Sequence, residues 1–153
     1  MTDQSLKATV QADLTTAIRE RDQVRAATLR MALTAITTEE VSGTTSRELS
    51  DDEVLKVLAK EAKKRKEASA AYTGAGRAEL AATEDAELAV LEAYLPAQLS
   101  DDELAAIVAR AVEQTGASGM AQMGQVMKVA QPEVAGRAEG GRVAAAVRAA
   151  LAG

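Results

Sequence analysis

The residues of this sequence that are best suited to chemistry are its cations, and the densest group of them is the run Lys63-Lys64-Arg65-Lys66. Ammonium and guanidinium groups bind phosphates and carboxylates, so the run indicates a contact surface for an anionic partner. A basic run in the last turns of a helix also complements the negative end of the helix dipole, and Glu61 and Glu67 would reduce its net charge. The sequence leaves both interpretations open.

The side chains of this sequence are poorly suited to catalysis, because the chain has no histidine and no cysteine. A Ser-His-Asp triad, a Cys-His pair, a glutamine thioester and a zinc site built on His or Cys are therefore excluded within this chain. No glycine-rich phosphate loop for ATP is present, and no serine and lysine stand at a spacing suited to a Ser-Lys mechanism. We expect no catalytic residues, no metal and no cofactor, and a protein that is not an enzyme by itself.

The composition predicts an all-α fold. Apolar residues make up 47% of the chain and aromatic residues only 1%, so the core must be built from Leu, Val, Ile, Met and Ala, which favour helices over strands. No apolar run approaches the roughly 20 residues of a membrane span, and the polar, mixed-charge start is unlike a secretion signal. We therefore expect a cytoplasmic protein without a membrane contact.

A boundary is predicted where one helix ends and the next begins. Pro96 disfavours helical geometry at Leu95, and Ser100 is a strong N-cap with Glu103 three residues later as its capping-box partner. Leu99 and Leu104 can form the accompanying hydrophobic staple. This pattern predicts a helical amino-terminal domain over residues 1–96 and a second domain over 97–153.

The same helix-start pattern occurs earlier, where Ser50 and Glu53 would form the box and Leu49 and Val54 the staple. Both sites carry the pentapeptide Leu-Ser-Asp-Asp-Glu. Internal duplication is one explanation, but the similarity ends directly beyond the pentapeptide. Shared capping physics is therefore the favoured explanation.

Apolar spacing predicts four helices in the first domain and three in the second. The predicted spans are about 5–19, 23–41, 51 to a break at 72–76, 77–95, 101–115, 121–130 and 142–152, with Gly116 and Pro132 as stops. The first two helices would turn inward Leu6, Val10, Leu14, Ile18, Val24, Leu29, Leu33 and Ile36.

Several short blocks of residues occur together in this sequence, in a fixed order. They are Arg25 with Thr28-Leu29-Arg30-Met31, Lys63-Lys64-Arg65 with Tyr72, Arg77 with Leu80 and Glu84, Glu87-Leu88, Leu91-Glu92, Tyr94-Leu95-Pro96, Gln98-Leu99-Ser100 and Glu103-Leu104, followed by residues 123–128 and 136–143. On these blocks the chain resembles the YqeY-like family over nearly its full length. This is a family of small bacterial proteins whose carboxy-terminal part is similar to the tail domain of GatB. GatB is the tRNA-handling subunit of the glutamyl-tRNA(Gln)/aspartyl-tRNA(Asn) amidotransferase.

The resemblance implies a helical amino-terminal domain followed by a small three-helix bundle similar to the GatB tail, which is associated with tRNA binding. It also links the family to carbon-nitrogen ligase activity with glutamine as amido-N-donor. The transamidation site lies in a part of GatB that this chain lacks, so the resemblance does not imply catalysis. The implied partners are tRNA and a protein of the translation or amidotransferase machinery. One departure is Gln122, where many relatives carry an Asp before the Met-Gly pair.

The resemblance also selects candidate RNA-binding residues. They are the residues of the two GatB-like blocks with positive charge or exposed backbone: Lys128, Arg137, Arg142, Gly136, Gly140 and Gly141. Residues 1–95 hold 13 Lys and Arg against 17 Asp and Glu, a balance of −4, and residues 96–153 hold 5 against 6, a balance of −1. Residues 118–153 alone have a balance of +2. With so few aromatic residues, RNA contact would depend on phosphates and shape.

A protein-interaction adaptor without RNA binding is the alternative. Met120, Met123 and Met127 lie close together in the sequence and could form an adaptable apolar surface. The same methionines would equally suit the core of a small bundle. In either case Lys63-Lys64-Arg65-Lys66 remains a secondary basic patch.

Overall fold

The computed structural model describes residues 4–152, which form seven α-helices and no strand. The all-α prediction is confirmed. The helices are α1 (Leu6–Arg19), α2 (Gln23–Glu40), α3 (Asp51–Gly74), α4 (Ala78–Glu92), α5 (Asp101–Thr115), α6 (Met123–Val134) and α7 (Gly140–Ala152), with a 3-10 turn over Met120–Gln122. No helix within 4–152 is both long enough and apolar enough to cross a bilayer.

The helices group into two compact units, which meet in the sequence between Leu95 and Pro96. In the first unit α1 packs on α2, α3 packs on α4, and α2 also contacts both α3 and α4. Its main core consists of Ala32, Ile36, Leu49, Val54, Leu58, Ala62 and Leu91. In the tail unit α5, α6 and α7 contact one another around Leu99, Leu104, Ile107, Val108, Ala111, Val126, Ala130, Val134, Ala138, Val143, Val147 and Leu151.

Both predicted capping boxes are confirmed. The Ser50 hydroxyl accepts from the Glu53 amide at 3.3 Å, and the Glu53 carboxylate accepts from the Ser50 amide at 3.1 Å. At the start of α5 the corresponding distances between Ser100 and Glu103 are 3.1 and 2.9 Å. Each box satisfies two amides that the helix itself cannot pair, so α3 and α5 begin at these positions.

A buried carboxylate connects the elements around the start of α3. Glu40, at the end of α2, is only 8% exposed, and Lys7 of α1 donates to its carboxylate at 2.8 Å. The Leu49 amide donates to its other oxygen at 3.3 Å. The hydrogen bond from Lys7 is the main reason that the pKa of Glu40 lies below its ordinary value. The charge therefore stays paired inside the fold.

Two of the predicted inward residues are instead exposed. Ile18 and Val24 are 50% and 47% exposed, and the alanines Ala17 and Ala26 are buried in this part of the α1–α2 pair. Steps of four residues drift by about 40° per step around a helix with 3.6 residues per turn. Ala17 lies seven residues after Val10, which returns it almost to the same face.

Several predicted boundaries are wrong, and α4 ends at Glu92, three residues before the predicted Leu95. Pro132 does not close α6 but lies inside it, and the helix ends at Val134, before Ala135 and Gly136 adopt left-handed geometry with φ of 50° and 76°. The proline removes one intrahelical bond, the one to the Lys128 carbonyl, and the helix continues for only two more residues. At the other boundaries α7 begins at Gly140, two residues earlier than predicted, and α3 continues to Gly74.

Candidate functional site

Arg142, a candidate RNA contact, is already bonded within the tail unit. From the first turn of α7 its Nη2 donates to the Leu99 carbonyl at 2.9 Å and to the Asp101 carboxylate at 2.8 Å. Leu99 and Asp101 flank the N-cap of α5, so the guanidinium connects the start of α7 to the start of α5. Replacing Arg142 would consequently change the packing of the unit as well as its charge.

Arg137 is likewise bonded within its own unit. Its Nε donates to the Val134 carbonyl at 3.2 Å and its Nη2 to the Glu133 carbonyl at 2.9 Å. These are carbonyls of the last turn of α6, where a cation also offsets the negative end of the helix dipole. The Arg137 carbonyl in turn accepts from the Leu99 amide at 2.7 Å. Arg137 therefore fixes the turn between α6 and α7.

Lys128 differs from these two arginines, because its side chain is exposed on α6 and forms no ion pair within residues 4–152. Arg148 on α7 is also exposed and also forms no ion pair within residues 4–152. Arg110 of α5, in contrast, is paired with Glu133. Two of the tail unit's five cations therefore remain available to a partner.

The three candidate glycines differ in whether the structure requires a glycine at their position. Gly136 has φ of 76°, which a residue with a Cβ rarely adopts, so the turn itself requires it. Gly140 and Gly141 form the exposed first turn of α7, and a Cβ at either position would meet nothing within 4 Å. Packing within the chain does not explain this glycine pair, which leaves open space above the first amides of α7.

The methionines and Gln122 contribute mainly to the tail unit itself. Met123 and Met127 are half-buried against the core, whereas Met120 is 47% exposed. The side-chain oxygen of Gln122 accepts from the Ser118 amide at 2.7 Å and does not cap α6. In this chain the residue at the departure from the family pattern therefore closes the loop before the helix.

The basic run of α3 does not form one continuous surface. Lys63, Lys64 and Lys66 are exposed, but Arg65 is 8% exposed and faces inward. The run also lies in the middle of α3, so the interpretation that it complements the carboxyl-terminal end of the helix is wrong. The surface patch therefore consists of the three lysines alone.

Arg65 joins α3 to α4. Its Nη1 donates to the Glu61 carbonyl at 3.1 Å, and its Nε lies 3.4 Å from the Glu87 carboxylate. That second contact is an ion pair by distance, but its geometry leaves Nε without a hydrogen bond within the described chain. The Glu61 carboxylate is 3.6 Å from Nη1, so two anions compensate one buried cation. Removing Arg65 would leave Glu87, which is half-buried, without an ion-pair partner within residues 4–152.

A groove between α2 and α3 was not predicted from the sequence. This α2–α3 groove has a volume of about 520 Å³, and its walls are formed by Arg30, Met31, Thr34, Ala35, Thr38 and Glu39 of α2 and by Val57, Lys60, Glu61 and Lys64 of α3. The signal in the sequence was the spacing of Val57, Lys60, Glu61 and Lys64 at i, i+3, i+4 and i+7, which places all four on one helix face. The contiguous run at 63–66 obscured that spacing.

A second cleft contains a tyrosine, a carboxylate and an arginine. The Tyr94 hydroxyl donates to Asp13, and Arg25 lies 3.8 Å from the same carboxylate. Burial, and then the bond to Asp13, raises the pKa of Tyr94 to about 12. A phenol with that pKa holds its proton at neutral pH, so the cluster is suited to joining α1 and α2 to the end of the first unit.

The charged side chains of the described residues differ in how far they are already paired. Within residues 4–152, no group of three or more Asp and Glu side chains is placed to hold a metal ion. The cations are divided between bonded residues, such as Arg65, Arg137 and Arg142, and exposed residues without an ion pair within residues 4–152, such as Lys128 and Arg148. The exposed cations are the groups able to contact an external anion.

Comparison with family models shows the family of this chain. No curated protein matches this sequence at a significant level. The family model described as Yqey-like protein matches residues 7–151. That match extends from the first turn of α1 to the last turn of α7, so the chain belongs to the YqeY-like family.

Proposed function

We propose that this protein is a non-catalytic accessory protein of the translation or tRNA-amidation machinery, with the tail unit as its tRNA-facing part. The observation that carries the proposal is that both blocks similar to GatB fold into one compact unit in which Lys128 stays exposed and unpaired within residues 4–152. The resemblance of those blocks to the GatB tail supplies the identity of the partner. We also propose that the protein acts in the cytoplasm, where tRNA is found.

A salt-dependent tRNA titration of the intact protein tests this proposal. We expect affinity to fall steeply with salt, because phosphate contacts release counterions. Lys128→Ala should lower the slope of log affinity against log salt by roughly 0.7 to 0.9 for its one lost contact. No binding at low salt would reject the proposal.

The control uses a lysine far from the tail in the sequence. Lys66→Ala removes the same charge from α3 and should leave the slope unchanged. If Lys66→Ala lowers the slope and Lys128→Ala does not, the RNA contact lies on the first unit. Arg137 and Arg142 are unsuitable for a first test, because both hold backbone carbonyls of the tail unit.

The absence of catalysis is tested separately. Purified protein supplied with glutamine, ATP and misacylated tRNA should transfer no amide by itself, because its side chains include neither Cys nor His. The control is a complete amidotransferase under the same conditions. Turnover that persists in protein free of contaminating amidotransferase would contradict this part of the proposal.

A protein-interaction adaptor is the second candidate function. The observation that favours it is the α2–α3 groove, which combines apolar side chains with exposed cations. This candidate is an adaptor without RNA binding, so the tRNA titration described above separates it from the first candidate.

A further inference from the structure

We propose that the α2–α3 groove is a docking site for an acidic amphipathic helix of a protein partner. The proposal concerns the first unit only and does not depend on tRNA binding by the tail unit. It is based on the length of the groove, on its apolar floor and on the distribution of charge along its walls.

The length of the groove suits a short helix. On α2 its wall extends from Arg30 to Glu39, which at 1.5 Å per residue is about 14 Å, or two and a half turns of a bound helix. The facing residues of α3, from Val57 to Lys64, follow the spacing i, i+3, i+4 and i+7. The α3 wall is shorter, at about 10 Å, and a groove of this length between two helices suits helix-in-groove recognition.

The floor of the groove is apolar and has no free hydroxyl donor on α2. Met31 is 40% exposed, and Ala35 and Val57 are half-buried beside it. The hydroxyls of Thr34 and Thr38 already donate to carbonyls four residues earlier, at 3.0 and 2.9 Å. A partner would therefore contact methyl, methylene and thioether groups here, which favours small apolar side chains.

The charge along the walls selects an acidic partner. Arg30 and Lys60 form no ion pair within residues 4–152. The Glu61 carboxylate is already compensated, since it lies 3.0 Å from Lys64 Nζ and 3.6 Å from Arg65 Nη1. Glu39 is the remaining acid on the walls. Carboxylates beside the apolar stripe of a partner helix would complement Arg30 and Lys60.

An RNA is the less suitable occupant. A phosphate backbone would contact the lysines but would leave Met31, Ala35 and Val57 without apolar contacts. No aromatic side chain lines the groove for base stacking. The groove therefore fits a ligand that combines negative charge with apolar side chains, which an acidic amphipathic helix does.

The test uses a displayed library of helical peptides. The library varies both faces of a three-turn helix and is selected on the intact protein. We expect enriched peptides to carry Asp or Glu next to small apolar residues at helical spacing. Failure to enrich any peptide, or enrichment of peptides without acidic residues, would overturn the proposal.

Matched variants then locate the site with the most enriched peptide. Lys60→Glu should weaken binding by about tenfold or more, because it replaces an attraction with a repulsion, whereas Lys66→Glu, outside the groove, should change it by less than about twofold. Thr34→Asp and Thr37→Asp form the same comparison on α2, since both residues are exposed and only Thr34 lines the groove.

Two results would contradict the proposal at this stage. Equal losses in the groove variants and their controls would show that net charge, and not the groove, governs binding. Competition of the peptide by tRNA, together with loss of tRNA binding in Lys60→Glu but not in Lys66→Glu, would show that the groove is an RNA surface. Circular dichroism of the four variants confirms that each stays helical.

Discussion

The starts of α3 and α5 share the five residues Leu-Ser-Asp-Asp-Glu, and their capping boxes have the same geometry. The surrounding contacts differ. At the first start, Arg47 forms a two-pronged ion pair with Glu53, and the Leu6 amide donates to Asp51 at 2.9 Å. Five residues therefore suffice to form a capping box, whereas the contacts around each box depend on residues elsewhere in the chain.

At the second start Glu103 has no arginine bonded to it, and Arg142 bonds to Asp101 and to the Leu99 carbonyl instead. The leucine amides also differ, because Leu49 donates to the side chain of Glu40 and Leu99 donates to the Arg137 backbone. In both units the first Asp of the helix contacts the start of another helix. Local sequence therefore forms the cap, and distant residues attach it to the unit.

The largest effect is expected from the leucines before the two caps. Leu49 and Leu99 are 6% and 5% exposed, so Leu49→Ala and Leu99→Ala should each lower the free energy of unfolding by about 2 to 4 kcal/mol. Urea denaturation followed by circular dichroism measures both. A much larger loss at one site would mean that the two starts are not equivalent in packing.

A smaller effect is expected from the caps. Ser50→Ala and Ser100→Ala should each cost about 1 kcal/mol, since each removes the acceptor of one helix amide. Amide hydrogen exchange should show faster opening of α3 in the first variant and of α5 in the second. Restoring each site with threonine is the control. Faster exchange in the first turn of both helices from a single change would contradict independent capping.

Arg142→Ala should cost about 0.5 to 1 kcal/mol, chiefly through the lost bond to the Leu99 carbonyl. The contact with Asp101 should contribute little, because that carboxylate is 95% exposed. A double-mutant cycle with Asp101→Asn measures the pair directly. A coupling energy well above about 0.5 kcal/mol would show that the ion pair, and not the carbonyl bond, attaches the second start.

The smallest effect is expected from Arg47→Ala, which should change the pKa of Glu53 and not that of Glu103. The bond from Arg47, and then those from Ser50, lower the pKa of Glu53 from 4.5 to about 2. A carboxyl whose pKa is lowered by folding stabilises the folded protein at pH values above its ordinary pKa. That stabilisation is lost as the pH falls toward the folded-state pKa of about 2. Arg47→Ala should raise the pKa of Glu53, so that the contribution becomes smaller and its loss, which still begins near the ordinary pKa, is complete at a higher pH.

Carboxyl-carbon NMR titration measures this change, and Glu103 is the internal control. The bonds from Ser100 are the main cause of its lowered pKa, so Arg47→Ala should leave it unaltered. If the pKa of Glu53 stays near 2 in the variant, the box itself, and not Arg47, is responsible.

The features predicted from the sequence are those that depend on neighbours along the chain. Ser50, Glu53, Ser100 and Glu103 were assigned correctly, because a cap requires only its own few residues. The burial of Arg65 was not predicted, since it depends on Glu87, which is 22 residues away on another helix. The sequence does not distinguish the four cations of the run, and the contact with α4 buries only Arg65.

The candidate site shows the same division. The sequence selects Lys128, Arg137 and Arg142 as equals, but their charges have different uses once Leu99 and the end of α6 are in place. The α2–α3 groove was missed for a related reason. Its walls come from two helices, and no single stretch of the sequence contains both.

The bond between Tyr94 and Asp13 has a consequence for optical measurements. Tyr72 and Tyr94 are the only aromatic residues, and both precede Pro96, so near-ultraviolet absorption and intrinsic fluorescence arise entirely from the first unit. With a pKa of about 12, Tyr94 should keep its phenol absorption in alkali until the surrounding helices open. Tyrosine absorption and fluorescence therefore record the unfolding of the first unit, and the tail unit needs an introduced aromatic residue to be seen by these two methods.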